Sequence, residues 1–216
     1  MRGLGMDRKD VFVALAGNIG AGKTTAAKIL SRHLGMELFA EPVVDNRFLA
    51  AYYGDMKRWA FTLQLEFLIR RIEHHELIHT VPKACVQDRS LIEDPEIFAK
   101  YLHGLGNMSD SELDLYLEYF RRLTQKVRQP DLVIFLKGDE QTSMDRIQVR
   151  GRKEEVGITL DFLAGLRAYY DTFEGVARQK YGLNLLTIDL KTLDMRTPQG
   201  EEQVIALVRD ALGWSS

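Results

Sequence analysis

The chain has 216 residues, of which 45% are hydrophobic and 28% charged, enough apolar material for one substantial core and too much for a disordered chain or a disulfide-stapled miniprotein. Lys plus Arg at 29 against Asp plus Glu at 31 leaves a net charge of −2, so no global field favours nucleic acid or an anionic membrane. The single cysteine, Cys85, reads as a small core residue in a reducing, cytoplasmic setting, the amino terminus shows no signal-peptide core, and no uncharged stretch approaches the roughly 18 residues of a membrane span.

Short apolar runs rich in β-branched residues alternate with longer stretches of helical period, the pattern of parallel strands joined by helical crossovers. The first expected strand, 11–16, runs into Gly17-Asn18-Ile19-Gly20-Ala21-Gly22-Lys23-Thr24, which satisfies G-x-x-x-x-G-K-[ST] and opens a helix at 22–34. Glycines let such a loop turn its N–H groups around phosphate oxygens, the helix start adds positive potential, Lys23 reaches the β and γ phosphates, and the Thr24 hydroxyl ligates Mg²⁺. A second strand, 37–40, ends on Glu41-Pro42-Val43, placing a carboxylate where open α/β sheets bind ligands. A long helix at 56–80 stops before Pro82 and contains His75-Glu76-Leu77-Ile78-His79, an H-E-x-x-H pattern that elsewhere marks a zinc protease.

The third strand, 84–87, ends on Asp88-Arg89-Ser90 and is followed by a helix at 95–103. Ser109 and Glu112 have capping-box spacing at the start of a helix at 111–128, and Pro130 separates it from a fourth strand at 132–136. A helix at 140–150 carries Arg146 and Arg150 on one face, with Arg152 just past Gly151. Helices at 159–180 and 200–212 flank a fifth strand at 185–188. The expected fold is an α/β three-layer sandwich on a five-stranded parallel sheet, one domain over 1–216 with an arginine-rich helical lid at about 146–157. A signalling GTPase does not fit, because Asn-Lys-x-Asp is absent and Asp-x-x-Gly occurs only as Asp210-Ala211-Leu212-Gly213.

Taken together, GNIGAGKTT at 17–25, EPVVDN at 41–46, Trp59 with Gln64 and Arg71, DRSLIEDPEIFA at 88–99 and RGRKEE at 150–155 resemble the deoxynucleoside kinase family, in its bacterial purine and cytosine branch, from about Val11 to Asp189. The resemblance implies an ATP- and Mg²⁺-dependent kinase acting on the 5′-hydroxyl of a deoxynucleoside in nucleotide salvage, working as a cytoplasmic homodimer. It implies that Gly17 to Thr25 hold the phosphates, that Glu41 is the general base, and that Arg89 ties the 5′-oxygen to Glu41. It further implies that Thr24 and Asp88 hold Mg²⁺ and that Arg146, Arg150 and Arg152 close over the phosphates. Tyr53 and Glu155 match the pair on the 3′-hydroxyl, Gln64 the amide that reads the base, Arg71 and Asp94 the charged pair beyond it, and Phe98 the aromatic that stacks on the base.

Two positions depart from the family pattern, Asn46 where a tryptophan is frequent and Leu63 where a phenylalanine precedes the reading glutamine. No residue of the 189–194 loop is assigned to the donor adenine. A nucleoside monophosphate kinase, or another small-molecule kinase with this loop, is the nearer alternative, yet its acceptor would meet Glu41 and Glu155 where it needs basic groups. A zinc protease built on His75 and His79 is the remote one.

Overall fold

Every side chain from Val11 to Ala16 is buried, as in a strand covered on both faces. In the computed structural model, which describes residues 10–41 and 46–214 without the Glu154 side chain, this run forms β1 (Phe12–Ala16). With β2 (Glu37–Phe39), β3 (Cys85–Gln87), β4 (Leu132–Lys137) and β5 (Leu185–Asp189) it makes one sheet in the order β2-β3-β1-β4-β5. All neighbours are parallel, with Val13 opposite both Val86 and Leu132. The expected fold class is therefore observed.

The helices are α1 (Lys23–Leu34), α2 (Leu49–Gly54), α3 (Met56–Thr80), α4 (Lys100–Gly104), α5 (Asp110–Thr124), α6 (Glu140–Arg150), α7 (Leu160–Tyr170), α8 (Phe173–Gly175) and α9 (Pro198–Ala211). The period-two alternation of β1 divides its side chains between two cores. Val13 and Leu15 pack with Ile29 of α1 and Val208 of α9, whereas Phe12 and Ala14 pack with Ile78 of α3 and Leu166 of α7. A third apolar cluster joins α2, α3 and α5 through Tyr52, Leu63, Leu68, Tyr116 and Phe120. Among the described residues no helix is long and apolar enough to cross a membrane.

Local chemistry explains the element ends that were legible. Ser109 and Glu112 form the capping box that starts α5, and Asp55 accepts from the Arg58 N–H at the start of α3. The structure corrects three expected helices. The segment 159–180 divides into α7, α8 and a π-helical stretch, Val176–Lys180; the segment 95–103 begins as a second π-helical stretch, Asp94–Ala99; and α5 ends at Thr124, short of Arg128. The buried spacing Tyr170, Phe173, Ala177 stays helical in period across the first of these, so the apolar pattern alone could not reveal the break. Helix α2 is too short to show a period and was not anticipated.

Chain crossing explains where the site lies. From β1 the chain steps over to β2, returns to β3, then passes to β4 on the other side of β1. The carboxyl end of β1 thus opens into the crevice where successive connections diverge, the position at which open α/β sheets bind ligands.

Candidate active site

The loop leaving β1 winds back on itself before α1. Gly17 has φ 143°, and a Cβ there would stand 2.7 Å from the Leu136 carbonyl oxygen, so only glycine fits between β1 and β4. Lys23, in the first turn of α1, is buried and folds over the loop, its Nζ donating to the carbonyls of Gly17 and Asn18 at 2.8 and 2.9 Å. Burial and the nearby Arg89 lower its pKa to about 8 against the opposing carboxylates Glu41, Glu93 and Asp88. The Thr24 hydroxyl donates to Asp88 Oδ2 at 2.6 Å.

Asp88 and Glu41 arrive from neighbouring strands, held together where the Asp88 N–H donates to the Phe39 carbonyl at 2.9 Å. The Arg89 guanidinium forms an ion pair with Glu41 through Nε and lies 4.6 Å above the Phe98 ring. Burial raises the Glu41 carboxyl, but Arg89, Lys23 and Arg71 outweigh it and hold its pKa at about 2. Glu41 is therefore a carboxylate at any physiological pH. Pro42 to Asp45 of the predicted EPVVDN segment lie outside the described residues.

Farther along, α3 turns one stripe inward, Gln64, Leu68, Arg71, His75 and Ile78 being buried at helical spacing, and Gln64 and Arg71 of this stripe line the same crevice. Arg71 donates to Asp94 at 2.7 Å and stands 3.9 Å from Glu41, so one guanidinium links the predicted base-reading acid to the predicted general base. Burial pushes the Asp94 carboxyl up and Arg71 opposes it.

A cavity of about 460 Å³ joins these groups. Every predicted site residue lines it except Gly17, Asn18 and Ala21. Those three build the loop from behind: Ala21 is buried, the Asn18 amide donates to the Leu163 carbonyl at 2.9 Å, and the Gly17 N–H is taken by Glu93 at 3.0 Å. Tyr53 reaches the cavity because Gly157 has no side chain; a Cβ there would come within 2.5 Å of the Tyr53 ring. Burial, with Glu155 nearby, pushes the Tyr53 phenol up to about 12, so it remains a hydrogen-bond donor.

The arginines take different positions from those the resemblance implies for a closed lid. Arg146 donates to the Ala21 carbonyl at 3.2 Å, but Arg150 grips Glu155 with two bonds of 3.0 and 2.5 Å, and Arg152 lies 3.5 Å from the same carboxylate. Glu155 therefore engages two of the cations and offsets one of their charges. Several groups escaped the sequence reading. Glu93 and Tyr170 sit directly behind the loop, and Met195 with Arg196 forms the cavity wall beyond Gly22. The Arg89 to Glu93 spacing is a helical one and was visible, but its neighbour Gly17 was not.

The H-E-x-x-H pattern does not assemble. His75 is buried edge-on to Phe12 with ring centroids 5.2 Å apart, whereas Glu76 and His79 are exposed in the last turns of α3. Among the described residues no group of three or more His, Cys, Asp or Glu could hold a metal ion. Burial, with Arg71, lowers the His75 pKa from 6.5 to about 4, so the unfolded state binds a proton there that the folded state refuses. Stability is expected to fall as pH drops through that window, and His75→Phe to flatten the slope, removing up to about 3 kcal/mol of the total loss across it. Melting curves of both proteins between pH 7 and 4 check this; parallel slopes would refute it.

A parallel sheet whose central strand feeds a glycine-rich loop and helix, with a carboxylate–arginine pair at its mouth, defines an α/β kinase of the nucleoside type. The chain belongs to the deoxynucleoside kinase family, whose sequence pattern matches residues 13–212. It is 35% identical over 167 residues to a deoxyadenosine kinase of Dictyostelium discoideum, covering 77% of this chain and 68% of that one. It is 34% identical over 167 residues to a deoxyadenosine/deoxycytidine kinase of Bacillus subtilis (strain 168), covering 76% and 77%. The solved structure of deoxyadenosine kinase from M. mycoides with bound dATP superposes with a TM-score of 0.79 at 29% identity, covering 92% of this chain and 99% of that one.

Proposed function

We propose that this chain transfers the γ-phosphate of ATP to the 5′-hydroxyl of a deoxynucleoside, giving the 5′-monophosphate for salvage, with deoxyadenosine, deoxycytidine or deoxyguanosine preferred over thymidine. The observation that carries the reading is the alignment along one cavity of Lys23, then the Arg89–Glu41 pair, then the Arg71–Asp94 pair. That order matches phosphate, sugar and base. Glu41 orients the hydroxyl and accepts its proton as the 5′-oxygen bonds to phosphorus and the bond to the bridging oxygen of ADP breaks. Lys23 and Arg89 offset charge on the transferring group, and Tyr53 donates to the sugar.

Asp88 Oδ1, buried with no hydrogen-bond partner among the described residues, and the Thr24 hydroxyl are hard oxygen donors of the kind Mg²⁺ takes. Bound there, Mg²⁺ would neutralise phosphate charge. Glu155 releases Arg150 and Arg152 to the phosphates when the sugar engages it, which gives residues 146–157 the role of a lid within one domain. The reading includes a cytoplasmic homodimer; the exposed row Leu115, Tyr119 and Leu123 at successive turns of α5 supports an interface between copies.

The preference rests on Asp94. Arg71, which donates to it at 2.7 Å, favours its ionised form against burial; as a carboxylate it can only accept, and so favours a base with an exocyclic amino group. Thymine would set a carbonyl against it, a mismatch of about 1–3 kcal/mol. With ATP and Mg²⁺, amino-bearing deoxynucleosides should exceed thymidine by at least about tenfold in kcat/KM, and Arg71→Met with Asp94→Ala should narrow that ratio. The ratio is the readout, because Arg71 also borders Glu41 and its loss slows every substrate. Thymidine preference, or phosphorylation of monophosphates only, would overturn the reading.

A further inference from the structure

Glu93 is fully buried, and the site as described gives it no task. Its Oε1 accepts from the Gly17 N–H at 3.0 Å, from Arg89 NH1 at 3.1 Å and from the Tyr170 hydroxyl at 2.5 Å. Its Oε2 accepts from the N–H and the hydroxyl of Ser90, each at 2.8 Å. The Tyr170 hydroxyl in turn lies 2.9 Å from the Gly17 carbonyl oxygen and 3.2 Å from Arg89 NH1. Five donors from three separate parts of the chain therefore converge on one carboxylate. Two of them belong to the catalytic neighbourhood: the first residue of the glycine-rich loop and the arginine that pairs with Glu41.

Local strain sharpens the point. Arg89 is the one non-glycine residue with positive φ among the described residues, at 85°. An arginine holds that backbone shape only when its surroundings over-determine it. Glu93 does so at both ends, clamping the following residue through Ser90 and the side chain through NH1. The guanidinium thereby has Nε committed to Glu41 and NH1 committed to Glu93, which fixes its plane.

We propose that Glu93 is a positioning residue for phosphoryl transfer, holding the Arg89 guanidinium and the Gly17 peptide in one fixed relation so that the arm on the 5′-oxygen and the cradle of the phosphates act as a unit. The inference rests on the role given to Arg89 above. In-line transfer is sensitive to small misplacements of the reacting oxygens, so loosening this tie costs rate while leaving substrate affinity largely intact.

The test is a double-mutant cycle. Glu93→Gln keeps the shape, can still accept from Gly17, Arg89 and Tyr170, and loses the charge and the acceptor facing Ser90. It should lower kcat by about tenfold with deoxynucleoside and ATP dissociation constants within about threefold. In an Arg89→Met background the same change should cost less than about threefold, because the group it positions is gone. Equal losses in both backgrounds, or a wild-type kcat for Glu93→Gln, would overturn the proposal and leave Glu93 a structural carboxylate. If Glu93→Gln does not fold, Tyr170→Phe, which retains the carboxylate, should lose about three- to tenfold in kcat, again only when Arg89 is present; a loss undiminished in Arg89→Met, or none at all, overturns the proposal on its own. Near-wild-type kcat in Arg89→Met alone strikes instead at the role of Arg89, and takes this inference with it by a pattern distinct from additive losses.

Discussion

Glu41→Gln is expected to bind ATP normally and to lower kcat with a deoxynucleoside by about 10² to 10⁴, the range for removing a general base. The amide can still hold the hydroxyl but cannot take its proton as the new bond forms. It also withdraws the counter-charge of Arg89 and Arg71, which lie against the same carboxylate. Because Glu41 titrates near pH 2, its protonation cannot shape the rate between pH 5 and 8, and any acid limb there belongs to another group. Steady-state kinetics on the variant decide the matter; a kcat within threefold of the unmodified enzyme would remove Glu41 from the base role.

Lys23→Ala should cut kcat by about 10² to 10³, the cost of deleting one preorganised charge at the transferring phosphoryl group. The unmodified enzyme carries a further signature. With the Lys23 pKa near 8, the free enzyme loses this charge as pH rises, so kcat/KM for ATP should decline above pH 8. Phosphates bound beside the ammonium favour its charged form, so kcat at saturating ATP should hold to higher pH. Lys23→Ala should abolish the difference between the two profiles. Identical alkaline limbs in the unmodified enzyme, or an unaltered pair of profiles in the variant, would show that Lys23 does not meet the phosphates.

The sequence by itself determined what is local. A strand that needs no polar face, a loop that needs glycine at Gly17, and a lysine and threonine at the start of α1 are dictated by neighbours within a few positions, and each stands where it was expected. Glu41 and Asp88-Arg89 were legible for a related reason, since parallel strands deliver whatever follows them to the same edge of the sheet. The inward stripe of α3 could be read at Gln64 and Arg71, although its histidine carried a false motif that burial dissolves.

Only the tertiary structure decided the groups that act across the chain. Glu93 meets Gly17 over 76 positions and Tyr170 over 77, and no periodicity encodes such a meeting. Tertiary packing also turned the Asn18 amide away from the cavity to Leu163. It loosened two helices into π turns at Asp94–Ala99 and Val176–Lys180, where Glu96 draws together Lys100, Lys180 and Tyr181. The physical reason is common to all of these. Backbone shape follows from near neighbours, whereas the partner of a buried charge is set by whichever distant groups the fold brings within hydrogen-bond reach.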